Sequence, residues 1–233
     1  MKKTLHWIDL CGMPIFEQLQ LEEALLRTDS RSFCIVNRGS PRSIVLGISS
    51  KAEELVDVER AQRDQIPLIK RFSGGGTVIV DEQTLFVTFI MAKGDLDVPA
   101  FPEPILRWSA ELYKQAWDIP GFALRENDYV IGEKKCGGNA QYIKKDRWVH
   151  HTSFLWDFSD ENMGYLHLPS KRPTYRQDRS HKDFLTPLKD HAPDPEVLTL
   201  RLKESLVKRL YIEPFDWKTL DKIPHRQAVC RIA

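Results

Sequence analysis

Cysteine is sparse in this chain and scattered. The 233 residues hold four, Cys11, Cys34, Cys136 and Cys230. No two form a CxxC pair, so a structural zinc site is not expected. Thiols this far apart in a chain of this size make no disulfide framework, and they point to a reducing compartment. An excess of one charge is also missing. The 34 Lys and Arg against 33 Asp and Glu leave a formal net charge of +1, which argues against a general nucleic-acid binder. No apolar run approaches the roughly 20 residues that a membrane helix needs. The start, Met1-Lys2-Lys3-Thr4-Leu5-His6-Trp7, has two lysines but no apolar stretch of a signal peptide behind them. The expected setting is therefore the cytoplasm or the matrix of a mitochondrion or other organelle, with no membrane or nucleic-acid partner.

The hydrophobic fraction of 42% and charged fraction of 29% are ordinary for a soluble globular chain. The length suits one domain, taken here as residues 1–233. Residues 19–27 (LQLEEALLR) place apolar side chains on one helical face. Residues 32–37 and 43–47 read as strands bracketed by Gly, Ser and Pro. Residues 51–65 read as a surface helix and 66–71 as a strand. The β-branched and aromatic runs 77–81 and 84–91 are separated only by Glu82 and Gln83, which predicts an antiparallel hairpin. Residues 105–117 read as an amphipathic helix stopped by Gly121. Short strands follow around 128–131, 139–143 and 148–157. Residues 162–190 are polar and contain Pro169, Pro173 and Pro187, which predicts a long irregular loop over a site. Residues 195–210 form a last helix. Strands and helices mix without strict alternation, which favours an α+β layout with largely antiparallel or mixed sheets.

Two stretches carry the chemistry. The first is Arg71-Phe72-Ser73-Gly74-Gly75-Gly76-Thr77. Three adjacent glycines let a ligand approach the main chain, and successive N–H groups can converge on an anion. A strand follows the glycines where a helix would be needed, and no Gly-Lys-Ser/Thr ending is present, which excludes a P-loop or a dinucleotide fingerprint. The second stretch runs from Asn127-Asp128 through Gly132-Glu133-Lys134-Lys135-Cys136-Gly137-Gly138-Asn139-Ala140-Gln141 to His150-His151-Thr152-Ser153. On a strand His150 and His151 point to opposite faces, so at most one faces a site. Asp81 also reads as a strand cap bonded to its own backbone.

Taken in order, these motifs resemble the lipoate–protein ligase A type within the biotin/lipoate ligase superfamily. The likeness covers about residues 14–160 and includes the helix with Leu21-Glu22-Glu23-Ala24. It implies a class II synthetase-like α+β catalytic domain. It implies that lipoate or octanoate is joined to ATP as an acyl-adenylate, with Mg2+ bound mainly through the phosphates and no metal site of the protein's own. The acyl group would then pass to a lysine of a lipoyl-accepting domain, as in 2-oxoacid dehydrogenase complexes and the glycine cleavage H protein. On this likeness Lys135 is the catalytic lysine. Arg71, Ser73, Gly74, Gly75, Gly76 and Thr77 belong to the adenylate- and acyl-binding turn. Asn127 and Asp128 hold the adenine and ribose-phosphate side, Gly138, Asn139 and Ala140 line the intermediate's pocket, and His151 lies near the acyl end. The apolar tail needs a tunnel, for which Val78, Ile79, Leu85, Val87 and Phe89 are the candidates.

The chain departs from the family in two ways. The family usually places a His before the acid that follows the glycine strand, and this chain has Val80-Asp81. Bacterial ligases of this type also carry a C-terminal accessory domain, for which this chain leaves no room; it would act alone, use a separate accessory subunit, or perform only the transfer step. The alternating Gly–Arg run of biotin ligases is missing. Two other functions stay open: an acyltransferase or amidotransferase forming a thioester on Cys136, and a non-catalytic binding partner of an acylated domain. Cys136 itself reads as a small packed residue.

Overall fold

The computed structural model describes residues 2–169, 172–220 and 228–232. Strand β1 (Thr4–Cys11) leads into helix α1 (Ile15–Thr28), β2 (Ser32–Arg38) and β3 (Ser43–Leu46). Two short helices, α2 (Ala52–Leu55) and α3 (Val58–Arg63), precede β4 (Leu68–Lys70), β5 (Val78–Val80) and β6 (Thr84–Ala92). Helix α4 (Pro102–Trp117) is followed by β7 (Phe122–Arg125), β8 (Asp128–Ile131), β9 (Lys134–Ile143) and β10 (Arg147–Leu155). The helical turns α5 (Asp160–Met163) and α6 (His181–Phe184) lead to α7 (Pro195–Val207), β11 (Tyr211–Pro214) and β12 (Cys230–Ile232).

Eight strands form one sheet in the order β11-β1-β2-β6-β10-β9-β8-β7, and four form a second in the order β12-β4-β3-β5. The large sheet is antiparallel from β2 to β7, and β1 pairs in parallel with both β2 and β11. Strand β6 shows why its sequence is apolar without alternation. Leu85, Val87, Phe89 and Met91 pack under α4 and α7, while Phe86 and Ile90 pack on the opposite face against α1 and the small sheet. A strand covered on both faces needs no polar side. A third cluster lies beyond the small sheet, where Ile44, Leu46 and Ile79 meet Tyr165, Tyr175, Phe184 and Leu185.

The expected hairpin of 77–81 with 84–91 does not form. Strand β5 pairs with β3 in the small sheet, while β6 lies between β2 and β10 in the large one. The chain changes sheets at a corner in which Asp81 Oδ1 accepts from the Gln83 amide at 2.9 Å and Asn162 Nδ2 donates to Asp81 Oδ2 at 2.6 Å. Asp81 is thus a turn residue. The chain from β2 to β3 crosses the same corner, and a Cβ at Gly39 (φ +83°) would come within 2.8 Å of the Glu82 carbonyl oxygen.

The predicted surface helix over 51–65 is broken at Val56 and Asp57. The Asp57 amide donates to Tyr165 O at 2.9 Å, and its side chain accepts from the Arg60 amide to start α3. Helix α4 stops before Gly121: Asp118 adopts the left-handed conformation (φ 50°, ψ 44°), which Asp tolerates better than most residues. Strands β1, β7, β11 and β12 lie outside the sequence-based expectations. The described residues of 162–190 contain no long element, as expected. The segment nevertheless packs down firmly where it is described, through a bridge of Leu185 to Lys135 and the buried Tyr165, Tyr175 and Phe184; residues 170 and 171 of that stretch lie outside the described residues.

Candidate functional site

Strand β9 forces the site's central lysine into place. Lys135 sits at its start, beside a register irregularity against β8 at Tyr129 and Val130. Its ammonium lies 2.7 Å from Asp128 Oδ1. The Lys135 side chain is 26% exposed and that of Asp128 is 9% exposed, so the pair is anchored on the acid's side and open to a ligand on the lysine's. Tyr175 OH donates to the other carboxylate oxygen at 3.0 Å. Burial, and then the neighbouring Asp128, push the Tyr175 phenol well above its usual range, so it remains a donor. Tyr175 holds one oxygen of the carboxylate, and the other oxygen holds the lysine. The absence of a side chain at Gly138 makes room: a Cβ there would lie 3.3 Å from Lys135 Nζ.

The glycine turn stands across the same cavity. Arg71 lies beneath it, 4% exposed. Its Nε and Nη2 donate to Gly74 O at 3.2 and 2.9 Å, and Nη2 also donates to Gly76 O at 2.8 Å. Arg71 therefore shapes the turn from inside. Burial lowers its pKa to about 10, partly offset by Glu22, and it stays cationic at neutral pH. Gly75 has φ +106°, and a Cβ there would meet Arg71 Nη2 at 2.8 Å. The turn's second approach is to Gly47, where a Cβ would collide with Gly75 O at 2.4 Å.

A cavity of about 870 Å³ joins these groups. Of the residues expected from the sequence, Arg71, Gly75, Gly76, Thr77, Asn127, Asp128, Lys135, Gly138, Asn139, Ala140 and His151 line it. Ser73 and Gly74 do not. Ser73 is buried with its carbonyl accepting from the Ile48 amide at 3.0 Å, and Gly74 is exposed with its carbonyl turned to Arg71. Asn139 Nδ2 donates to the Asn127 carbonyl at 2.7 Å and ties β9 to the β7–β8 turn. The apolar wall also differs from expectation. Ile15, Val45, Val78, Val80 and Phe86 form it. Leu85, Val87 and Phe89 face the α4 side of the large sheet, and Ile79 packs in the third cluster, because side chains alternate along a strand.

His151 faces the cavity and His150 does not, as strand geometry requires. His151 Nδ1 lies 2.9 and 3.1 Å from the two oxygens of Glu22, a fully buried carboxylate on α1. A carboxylate only accepts, so Nδ1 carries the hydrogen. Gln18 Nε2 and Thr88 Oγ1 each donate to Glu22 Oε1 at 2.8 Å. His150 is buried behind, its Nε2 at 2.7 Å from Tyr129 OH and its Nδ1 at 3.1 Å from Gln141 Nε2. Burial, with a smaller contribution from His151, pushes its pKa down to about 3.

Glu22, Arg176 and His181 were not legible as site residues. Glu22 gives one signal, a charge on the apolar face of an amphipathic helix; Arg176 and His181 lie in the irregular stretch and give none. Cys136 is fully buried and donates to Tyr129 O at 3.4 Å, and burial raises its thiol pKa strongly. Among the described residues no group of three or more His, Cys, Asp or Glu side chains could hold a metal ion, and no helix is long and apolar enough to cross a membrane.

Comparison with known proteins gives this chain relatives. The sequence pattern of the lipoyl protein ligase A/B catalytic domain matches residues 14–210. The inactive lipoate–protein ligase 2 of Plasmodium falciparum is 31% identical over 243 residues, covering 79% of this chain and 63% of its own length. The chain spans 63%, 45% and 34% of the length of the first three curated relatives it matches. Among solved structures, lipoate–protein ligase A bound with ATP superposes with a TM-score of 0.74 at 20% identity, covering 93% of this chain and 88% of that one. The bipartite lipoate protein ligase of Thermoplasma acidophilum, described together with its E2 lipoyl domain, gives 0.72 at 20% identity, covering 91% and 86%. At such identity these likenesses speak for the fold, two mixed sheets packed with helices as in lipoate–protein ligases.

Proposed function

This chain belongs to the lipoyl protein ligase A/B catalytic domain family, and from that premise we propose that it activates lipoate or octanoate with ATP and passes the acyl group to a lysine of a lipoyl-accepting domain. In the first step a carboxylate oxygen of the acid attacks the α-phosphorus, and pyrophosphate leaves. In the second the acceptor amine attacks the carbonyl carbon of the mixed anhydride, AMP leaves, and the new amide loses a proton. The observation that carries this reading is the Lys135 ammonium, held 2.7 Å from Asp128 and opening on a cavity shared with the glycine turn and an apolar wall. Both steps build negative charge on phosphoryl and carbonyl oxygens. A preorganised cation in a partly dry site is worth most where such charge develops.

The cavity's parts suit the parts of an acyl-adenylate. Val45, Val78, Val80 and Phe86 would sheathe the acyl chain, with His151 nearby. Gly75, Gly76, Thr77 and Ala140 would border the anhydride, where small residues let the main chain come close. Asn127 and Asn139 would flank the nucleoside. Asp128 is already committed to Lys135 and Tyr175, so a magnesium ion would be held by phosphate oxygens and water. When bound it supplies further neutralisation of the phosphate charge.

The thioester alternative has no support in the geometry, since the Cys136 thiol is enclosed in the core with its pKa raised. A non-catalytic role keeps one argument, the name of the Plasmodium relative. A separate accessory subunit is proposed by analogy with the bipartite Thermoplasma system. Incubating the protein with ATP, magnesium, lipoate and a lipoyl-domain acceptor, and then weighing the acceptor, tests the proposal. A mass gain of one lipoyl group is expected. An unmodified acceptor, with or without an added accessory subunit, contradicts it.

A further inference from the structure

A groove of about 850 Å³ runs between helix α4 and strand β7, on the far side of the β7–β8 turn from the catalytic cavity. Leu106 and Ala110 of α4 form one wall, and Ala123 and Leu124 of β7 form the other. The rim is charged with both signs: Arg107 pairs with Glu103 at 2.7 Å, and Lys114 forms no ion pair among the described residues. The groove reaches Glu126 and Asn127, which also line the cavity that holds Lys135. Asn139 donates to Asn127 O at 2.7 Å and Gln141 donates to Pro102 O at 3.2 Å. These two side chains lie two residues apart on β9, so the start of α4 and the β7–β8 turn meet at one end of the groove. Phe101 sits at that end, just before α4, and is 68% exposed, more than any other large apolar side chain among the described residues. Strand β7 is outermost in the large sheet and pairs only with β8. Arg125 and Asp128 close a two-residue turn, which leaves the Leu124 amide and carbonyl pointing away from β8.

Resting on the ligase reading, we propose that this groove docks the acceptor protein, which lays an extended segment along β7 as an added strand and so brings its target lysine around the β7–β8 turn to the acyl-adenylate. An open strand edge beside a helix takes up an extended chain through main-chain hydrogen bonds. The transfer step requires a docking surface at the mouth of the cavity, because a lysine spans only its own side chain's length from the backbone that carries it. The groove ends there, at residues shared by both hollows. The opposite free edge of the same sheet, β11 with the exposed Tyr211, lies seven strand spacings away, about 34 Å along the sheet. That is out of a lysine's reach. The apolar walls and charged rim have the anatomy of a protein interface, in which aromatic side chains are enriched, and Phe101 is the anchor at its cavity end. No residue of α4 lines the catalytic cavity among the described residues, so docking and acid activation use separate side chains.

Two substitutions at exposed positions test this on the full chain: Ala123→Arg, which fills the groove, and Phe101→Ser, which removes the anchor. Three rates are compared with the wild type. Acid-dependent exchange of pyrophosphate into ATP reads the first step, and capture of the acyl group by hydroxylamine reads transfer to a nucleophile too small to need docking. Both are expected to stay within about two-fold of wild type, while the KM for a lipoyl-domain acceptor rises by about five-fold or more in each variant. Wild-type acceptor KM in both folded variants overturns the proposal. So does an equal loss of exchange, hydroxylamine capture and acceptor transfer, which would mark a general defect of the fold. If Ala123→Arg instead turns a dimer into a monomer and leaves the acceptor KM unchanged, the groove joins two copies of this chain and the proposal falls. Absence of exchange in the wild type overturns the ligase reading and this inference with it; exchange with an unaltered acceptor KM in the variants overturns this inference alone.

Discussion

Lys135 and Asp128 meet 2.7 Å apart at the cavity wall, and Gly138 holds open the space that the lysine occupies. Removing the ammonium in Lys135→Ala is expected to cost about 2–4 kcal/mol of transition-state stabilisation in the adenylation step, the range of one preorganised electrostatic group. Gly138→Ala should act on the same atom from the other side. Its added methyl, 3.3 Å from Nζ, displaces a flexible side-chain end and not the backbone. Turnover should fall with little change in melting temperature. Single-turnover adenylation rates and thermal melts of both variants check this; wild-type turnover in Lys135→Ala would end its assignment.

Gly75 should behave differently, because its constraint is in the backbone. A side chain at φ +106° is strained, and it would also press on the Arg71 guanidinium that holds the turn. Gly75→Ala is expected to lose about 1–2 kcal/mol of stability together with activity. Urea unfolding of this variant beside Gly76→Ala, whose Cβ would meet nothing within 4 Å, measures the contrast.

Glu22 and His151 form a buried unit. His151→Ala leaves the Glu22 carboxylate with Gln18 and Thr88 but without its imidazole donor, and should cost about 1.5–3 kcal/mol. Glu22→Gln on top of it should cost less than the sum of the two single changes, because the stranded charge is gone. A double-mutant cycle by chemical denaturation gives the coupling; strict additivity contradicts the pairing.

His150 supplies a pH signature of the fold. Its pKa falls from 6.5 to about 3 on burial. Between those values the unfolded chain holds a proton that the folded chain does not. Stability therefore rises with pH through this window and is lost as pH falls, with a slope of up to about 1.4 kcal/mol per pH unit. His181 and His6 are shifted in the same direction, chiefly by burial. His150→Gln should flatten the dependence of the unfolding midpoint between about pH 4 and 6.5 without abolishing it. An unchanged slope would show that His150 does not titrate in this way.

Much of the site was readable because its residues sit in ordered motifs whose chemistry is local. The glycines after Ser73 and the lysine after Lys134 signal a turn and a cation wherever they fold. Tertiary placement hid the rest. Glu22 is a helix residue like Glu23 until strand β10 brings His151 to it, and Arg176 looks like any arginine in a polar stretch until Phe184 and the cavity enclose it. The failed hairpin has the same cause. Two strands separated by two residues usually pair, but Asp81 turns the chain from one sheet into the other, and no local pattern encodes which partner a strand finds. Strands β11 and β12 are short and exposed on most residues, so their sequences carry little periodicity.

The central claim is that one cavity, with Lys135 facing the glycine turn, makes an acyl-adenylate. Acid-dependent exchange of labelled pyrophosphate into ATP measures that step without any acceptor. The account predicts exchange that requires lipoate or octanoate, collapses in Lys135→Ala and persists in Cys136→Ala. No exchange from folded protein with either acid, with or without an accessory subunit, or exchange that survives Lys135→Ala, would contradict it.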